Sequence, residues 1–86
     1  MPVISRFLGI IIAMFHGDHN PPHFHARYNE HKAIISIKDL AVLNGKLPPK
    51  VLGLVMEWAS LHQEELIENW KLAVELSELK FIDPLE

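Results

Sequence analysis

The sequence has no cysteine, which excludes structural disulfides and thiolate zinc sites; any metal would need nitrogen and oxygen ligands. Long apolar runs are missing too. The longest, Phe7 to Phe15, reaches about half of the roughly 20 residues that a membrane span requires, so no membrane association is expected. That run holds three consecutive isoleucines and leads into His16-Gly17-Asp18-His19-Asn20 without a small-residue cleavage pattern. A signal peptide is therefore not expected, and the cytoplasm is the expected location. A basic excess is absent as well: net charge is -3, which argues against a strongly basic nucleic-acid binder.

The 86 residues that are present leave room for one domain, residues 1–86, burying roughly 60–65% of its unfolded surface. With 49% apolar and 22% charged residues the chain falls among ordinary globular proteins, not disordered ones. Its charge is divided unevenly. Residues 1–49 carry five basic residues against three acids, whereas the remainder carries three lysines against eight acids. Five of the six histidines also fall in the first part, so a phosphate-meeting surface is expected there.

Gly9 to Phe15 is β-branched and too short for an independent helix, which predicts a first strand over about 9–16. Asp18-His19-Asn20-Pro21-Pro22 joins turn-forming residues to two prolines that cannot donate to a sheet ladder, and reads as a loop. From His23 to Tyr28 the two-residue period puts Phe24, Ala26 and Tyr28 on one face and His23, His25 and Arg27 on the other. Asn29-Glu30 predicts a tight turn into a third strand, Lys32 to Ile37, with Ala33, Ile35 and Ile37 inward and Ser36 and Lys38 outward. Leu40 to Leu43 reads as a short edge strand ended by Asn44-Gly45.

At Pro48-Pro49 the period changes to that of a helix, with Val51, Val55, Ala59, His62, Leu66, Trp70 and Ala73 at three- and four-residue steps. One helix of nearly 30 residues fits, or two consecutive helices with a break near Ser60. His62 reads as a core residue, and Trp58 and Trp70 as anchors packing helix on sheet. The fold class expected is α+β: a three- to four-stranded antiparallel meander over about 1–47, helices over about 48–77, and an extended tail over about 78–86.

Three motifs carry a family resemblance: Met1-Pro2-x-Ile4-Ser5-Arg6-Phe7-x-Gly9, then Asp18-His19-x-x-Pro22-His23-Phe24-His25, then Glu57-Trp58-Ala59-x-Leu61-His62-x-Glu64-Glu65-Leu66-x-x-Asn69-Trp70. In this order they resemble the small bacterial proteins grouped as Domain of Unknown Function 4160, over essentially the whole chain. The resemblance implies the toxin component of a toxin-antitoxin pair, with a small antitoxin-like partner protein encoded nearby. The family motif residues that carry over are Asp18, His19, His23 and His25, and the resemblance assigns no role to any of them.

Read by their chemistry alone, the same residues support several functions. A metal-independent ribonuclease needs a base, an acid and a cation for the phosphate; His23, His25 and Arg27 on one strand face supply all three, with His19 an alternative base or acid and Asp18 orienting an imidazole. A metal centre is the second reading. His-x-His sets two imidazoles side by side, and Asp18 and His19 would complete a ligand set, Asp18, His19, His23 and His25, suited to a divalent transition metal such as zinc, nickel or iron; no organic cofactor is expected. The third is structural, with Asp18 and Asn20 bonding the loop's own backbone and the prolines stiffening it. The last is a non-catalytic protein-binding module that holds its partner through a sheet edge and the tail from Phe81.

Overall fold

The computed structural model describes residues 2–86; Met1, which begins the expected meander, lies outside the described residues. Five strands run β1 (Val3–Phe7), β2 (Ile10–Ala13), β3 (His23–Tyr28), β4 (His31–Ser36) and β5 (Val42–Lys46), followed by helices α1 (Pro49–Leu61) and α2 (Gln63–Val74). The strands form one antiparallel meander in the order β1-β2-β3-β4-β5. The α+β class therefore holds, but the sheet has five strands where three or four are expected.

The added strand is β1, and its concealment has a local cause. Leu8 and Gly9 both have positive φ, 50° and 80°, the signature of a two-residue primed hairpin turn. Leucine seldom takes that conformation, so the apolar run from Phe7 gives no sign of turning back on itself. The strand expected over 9–16 is correspondingly shorter, Ile10–Ala13. β3 occupies His23–Tyr28 as expected, and the turn after it places Asn29 at φ 53°. The third expected strand is shifted back by one residue to His31–Ser36. Ser36 is buried, not outward, because its hydroxyl accepts the Asp39 N–H at 3.2 Å and closes the turn to β5.

β5 corrects the expected edge strand over 40–43: it begins at Val42 and continues through Asn44-Gly45 to Lys46. Gly45, at φ 81°, pairs with Ala33 within the β4–β5 ladder and does not end the strand; the register irregularity falls at Leu43, between Val42 and Asn44. An ideal Cβ on Gly45 would lie 2.2 Å from the Lys32 carbonyl oxygen, so only glycine permits this approach.

Pro49 occupies the first turn of α1, which buries Val51, Val55, Trp58 and Ala59. There are two helices, not one. His62 interrupts them at φ -125°, with its N–H bonded to the Ala59 carbonyl. Its ring, expected in the core, is instead partly exposed at this break, where Nδ1 donates to Glu65 Oε1 at 2.6 Å. α2 buries Leu66, Asn69, Trp70 and Ala73 and stops in a Schellman motif: Ser77 N–H bonds Leu72 O, Leu76 N–H bonds Ala73 O, and Leu76 takes the left-handed conformation usually left to glycine.

The core lies between the helices and one sheet face, with Trp58 stacked near Phe7 and Phe24 at 5.4 and 6.0 Å. The tail seals its β1 end. Ile82 is buried and its N–H bonds the Ile4 carbonyl at 2.7 Å; Asn69 grips Lys80 through both main-chain groups at 2.8 and 2.9 Å; and Trp58 Nε1 donates to Asp83 O. Among the described residues, no helix is long and apolar enough to cross a membrane. The helices cover one face of the sheet and leave the other open.

Candidate functional site

The loop between β2 and β3 is fastened to the end of α2. His16 Nε2 donates to the Ser77 carbonyl at 2.7 Å, and Gly17 N–H reaches the Ala73 carbonyl at 3.3 Å. Pinned there, the loop sets Asp18 over the start of β3. His23 and His25, two residues apart on that strand, share a side, and both Nε2 atoms face Asp18 Oδ2, at 2.9 and 3.3 Å. Three expected residues therefore converge: one ligand atom from each of Asp18, His23 and His25 lies within 4.8 Å of the others.

His19 is not among them. Its side chain is exposed, and its contribution is its backbone N–H, which donates to Asp18 Oδ1 at 3.1 Å. In a tight loop, consecutive side chains leave in different directions, so adjacency to Asp18 did not bring the imidazole to the same point. Arg27 is exposed on the open sheet face, one strand period beyond His25, and makes no hydrogen bond to the cluster.

Two aromatic residues absent from the sequence-based set hold the rings. Phe15 meets His25 edge-on, centroids 4.5 Å apart, and Trp70 packs on His23 at 5.1 Å. Neither follows a strand or loop pattern that would have marked it, although Trp70 lies on the expected inner stripe of the helix. The site is thus half-enclosed, with His23 buried and Asp18 and His25 partly open.

The proton count at His23 constrains what the site holds. Nδ1 lies 2.8 Å from the Pro21 carbonyl, which can only accept, so Nδ1 carries a proton. Nε2 lies 2.9 Å from the Asp18 carboxylate, which also only accepts once ionised. Burial alone would raise the Asp18 pKa. The hydrogen bonds from His25, the His19 backbone and His23, with the charge of His23, outweigh it and hold the carboxyl below its ordinary value. A neutral imidazole cannot donate from both nitrogens, so the position between His23 and Asp18 calls for a second proton on the ring or for a metal cation.

The separations of the two imidazoles from Asp18 suit a cation. Zinc–nitrogen and zinc–oxygen bonds of about 2.0–2.2 Å place neighbouring ligand atoms roughly 3.0–3.5 Å apart, close to the 2.9 and 3.3 Å separations here. The Pro21 carbonyl on Nδ1 fixes the tautomer that leaves Nε2 free to ligate, as outer-shell acceptors do at metal sites. Two imidazoles and one carboxylate leave coordination positions for exogenous ligands. Beside the cluster, a groove of about 400 Å³ runs over the open sheet face between Ile11, Phe15, His25, Arg27, Lys32 and Ile34.

Comparison with curated proteins and with solved structures gives no match. A family model does match, over residues 9–71, most of the chain including β2 to β5, the loop with Asp18, and nearly all of both helices. The chain belongs to the family described as Domain of unknown function (DUF4160).

Proposed function

We propose that the protein is a metal-binding domain, with one divalent transition-metal ion held by Asp18, His23 and His25. The observation that supports this reading is the convergence of their three ligand atoms within 4.8 Å, with the Pro21 carbonyl on Nδ1 of His23 turning its Nε2 toward the Asp18 carboxylate. A two-histidine, one-carboxylate set suits iron(II), zinc or nickel, and open positions on the groove side would let the ion act on a ligand. The test is cobalt(II) titration of chelator-treated protein. Stoichiometric binding with a visible d–d spectrum, absent from Asp18→Ala, is expected; binding that leaves the histidine signals of a proton–nitrogen NMR spectrum at His23 and His25 undisturbed would sink the proposal.

A second reading, a toxin of a toxin-antitoxin pair acting on RNA, is favoured by one observation: His25 and Arg27 open onto the same groove. His25 would move the proton and Arg27 would hold the phosphate. Growth inhibition on expression, relieved by the folded variants His25→Ala and Arg27→Ala, is the expected result. Undiminished inhibition by both variants would reject this assignment.

A further inference from the structure

Directly paired residues of an antiparallel sheet project to the same side, so the register can be followed from one edge of the sheet to the other. Arg6 on β1 pairs with Ile11 on β2, Ile11 with Arg27 on β3, Arg27 with Lys32 on β4, and Lys32 with Lys46 on β5. One unbroken cross-strand row therefore carries four cations and one isoleucine. It lies on the open face, for Ile12, Ala26 and Ala33, each one residue along, are buried beneath the helices. All four basic side chains are exposed, and none forms an ion pair among the described residues.

Like charges on directly opposite positions destabilise a sheet, and here the cost recurs at Arg27–Lys32 and again at Lys32–Lys46. No acidic residue joins the row to relieve it. At about 4.8 Å between strands the row is about 19 Å long and a single side chain wide, with one cation for each of four phosphates of a short single strand. The middle of the row, Ile11, Arg27 and Lys32, forms part of the lining of the groove, where Ile11 with Phe15 and Ile34 offers an apolar surface for unstacked bases.

We infer that the row Arg6, Arg27, Lys32 and Lys46 is a track for the phosphodiester backbone of single-stranded nucleic acid, with the bases received in the groove that the row crosses. A narrow line of charge crossing a concave, partly apolar groove matches a linear polyanion carrying flat rings. A membrane surface would call instead for a broad basic field with apolar side chains protruding from it. The track supplies a substrate surface for the RNA reading but does not require cleavage, and it is independent of the metal.

The experiment is fluorescence anisotropy of a labelled 12-nucleotide single-stranded RNA with the full chain, in EDTA so that a failure of the metal proposal leaves the result untouched. With four contacts and a salt exponent of about 0.7 per phosphate, affinity should fall about 50-fold between 50 and 200 mM salt; for Lys32→Gln/Lys46→Gln it should fall only about 7-fold. Lys50→Gln/Lys71→Gln, on the helical side, should behave as wild type. A single-stranded DNA of the same sequence decides whether the 2'-hydroxyl contributes. Salt dependence unchanged by the row substitutions, equal losses in the helical-side control, or binding to phosphatidylserine vesicles with none to either oligonucleotide would overturn the track.

Discussion

Removing Asp18 offers the sharpest test of the metal centre, because its effect can be worked out before it is measured. A ligand that binds only the folded chain stabilises it by RT ln(1 + [L]/Kd), about 2.7 kcal/mol at one hundred times Kd. In a domain of this size each kcal/mol moves Tm by about 4–8 °C, so saturating metal should raise the wild-type Tm by about 11–22 °C. Loss of an outer-shell group at a metal site typically costs 10–100-fold in affinity, and loss of a ligand should cost no less than the upper end. At the same metal concentration Asp18→Ala would then sit at or below its own Kd, where stabilisation is about 0.4 kcal/mol and the shift about 2–3 °C. The assay is thermal unfolding of chelator-treated protein with and without added metal, each variant compared with its own metal-free baseline. His19→Ala should keep the wild-type shift, since its imidazole lies outside the cluster. An equal shift for Asp18→Ala and wild type would refute the assignment of Asp18 as ligand, and a loss in His19→Ala would refute the geometry.

Three further outcomes follow from the same contacts. In metal-free protein the Asp18 carboxyl is held below its ordinary pKa, so its contribution to stability is present above the usual carboxylate range and is lost as pH falls through the folded value; urea midpoints of Asp18→Asn should decline less on the acid side than those of wild type. Asn69→Ala removes both bonds that clasp Lys80 and should cost about 2–3 kcal/mol by chemical denaturation, with Asn69→Asp losing the bond to the Lys80 carbonyl. Gly45→Ala adds the penalty of a left-handed backbone, about 1–2 kcal/mol, to an overlap with the Lys32 carbonyl, whereas Gly17→Ala meets nothing within 4 Å and should show the backbone penalty alone; equal losses in the two variants would contradict the close approach at Gly45.

How far the fold could be read from residues depends on where local preference and tertiary pairing agree. β3 was legible in full because six residues of strict alternation stand between two prolines and an asparagine turn. β1 was not, because its partner turn is made by Leu8, whose side chain predicts continuation and whose observed φ of 50° does the opposite. The shift of β5 has a related origin. Asn44-Gly45 does supply a positive φ, but Gly45 keeps its place in the ladder opposite Ala33 and the register shifts at Leu43, which only the pairing reveals. The helical break near Ser60 was within reach of the pattern, yet the pattern was equally served by an unbroken helix, since Val51 to Ala73 keep one stripe through His62.

The candidate metal site and the cationic row differ in the same way. Asp18, His23 and His25 lie within eight residues, so a loop and a two-residue period suffice to bring them together, and only the excess of including His19 needed three dimensions to correct. Arg6, Arg27, Lys32 and Lys46 span forty positions, and their alignment exists only as the product of four strand registers. Overall charge concealed it further, for a net -3 points away from nucleic acid. Yet the eight acids after residue 49 belong to the helices and tail packed on the other side of the sheet, so the fold separates the two signs across its thickness. A polyanion approaching from the helical side meets repulsion and one approaching the open face meets the row, so the field that lowers non-specific affinity is the one that orients specific encounter.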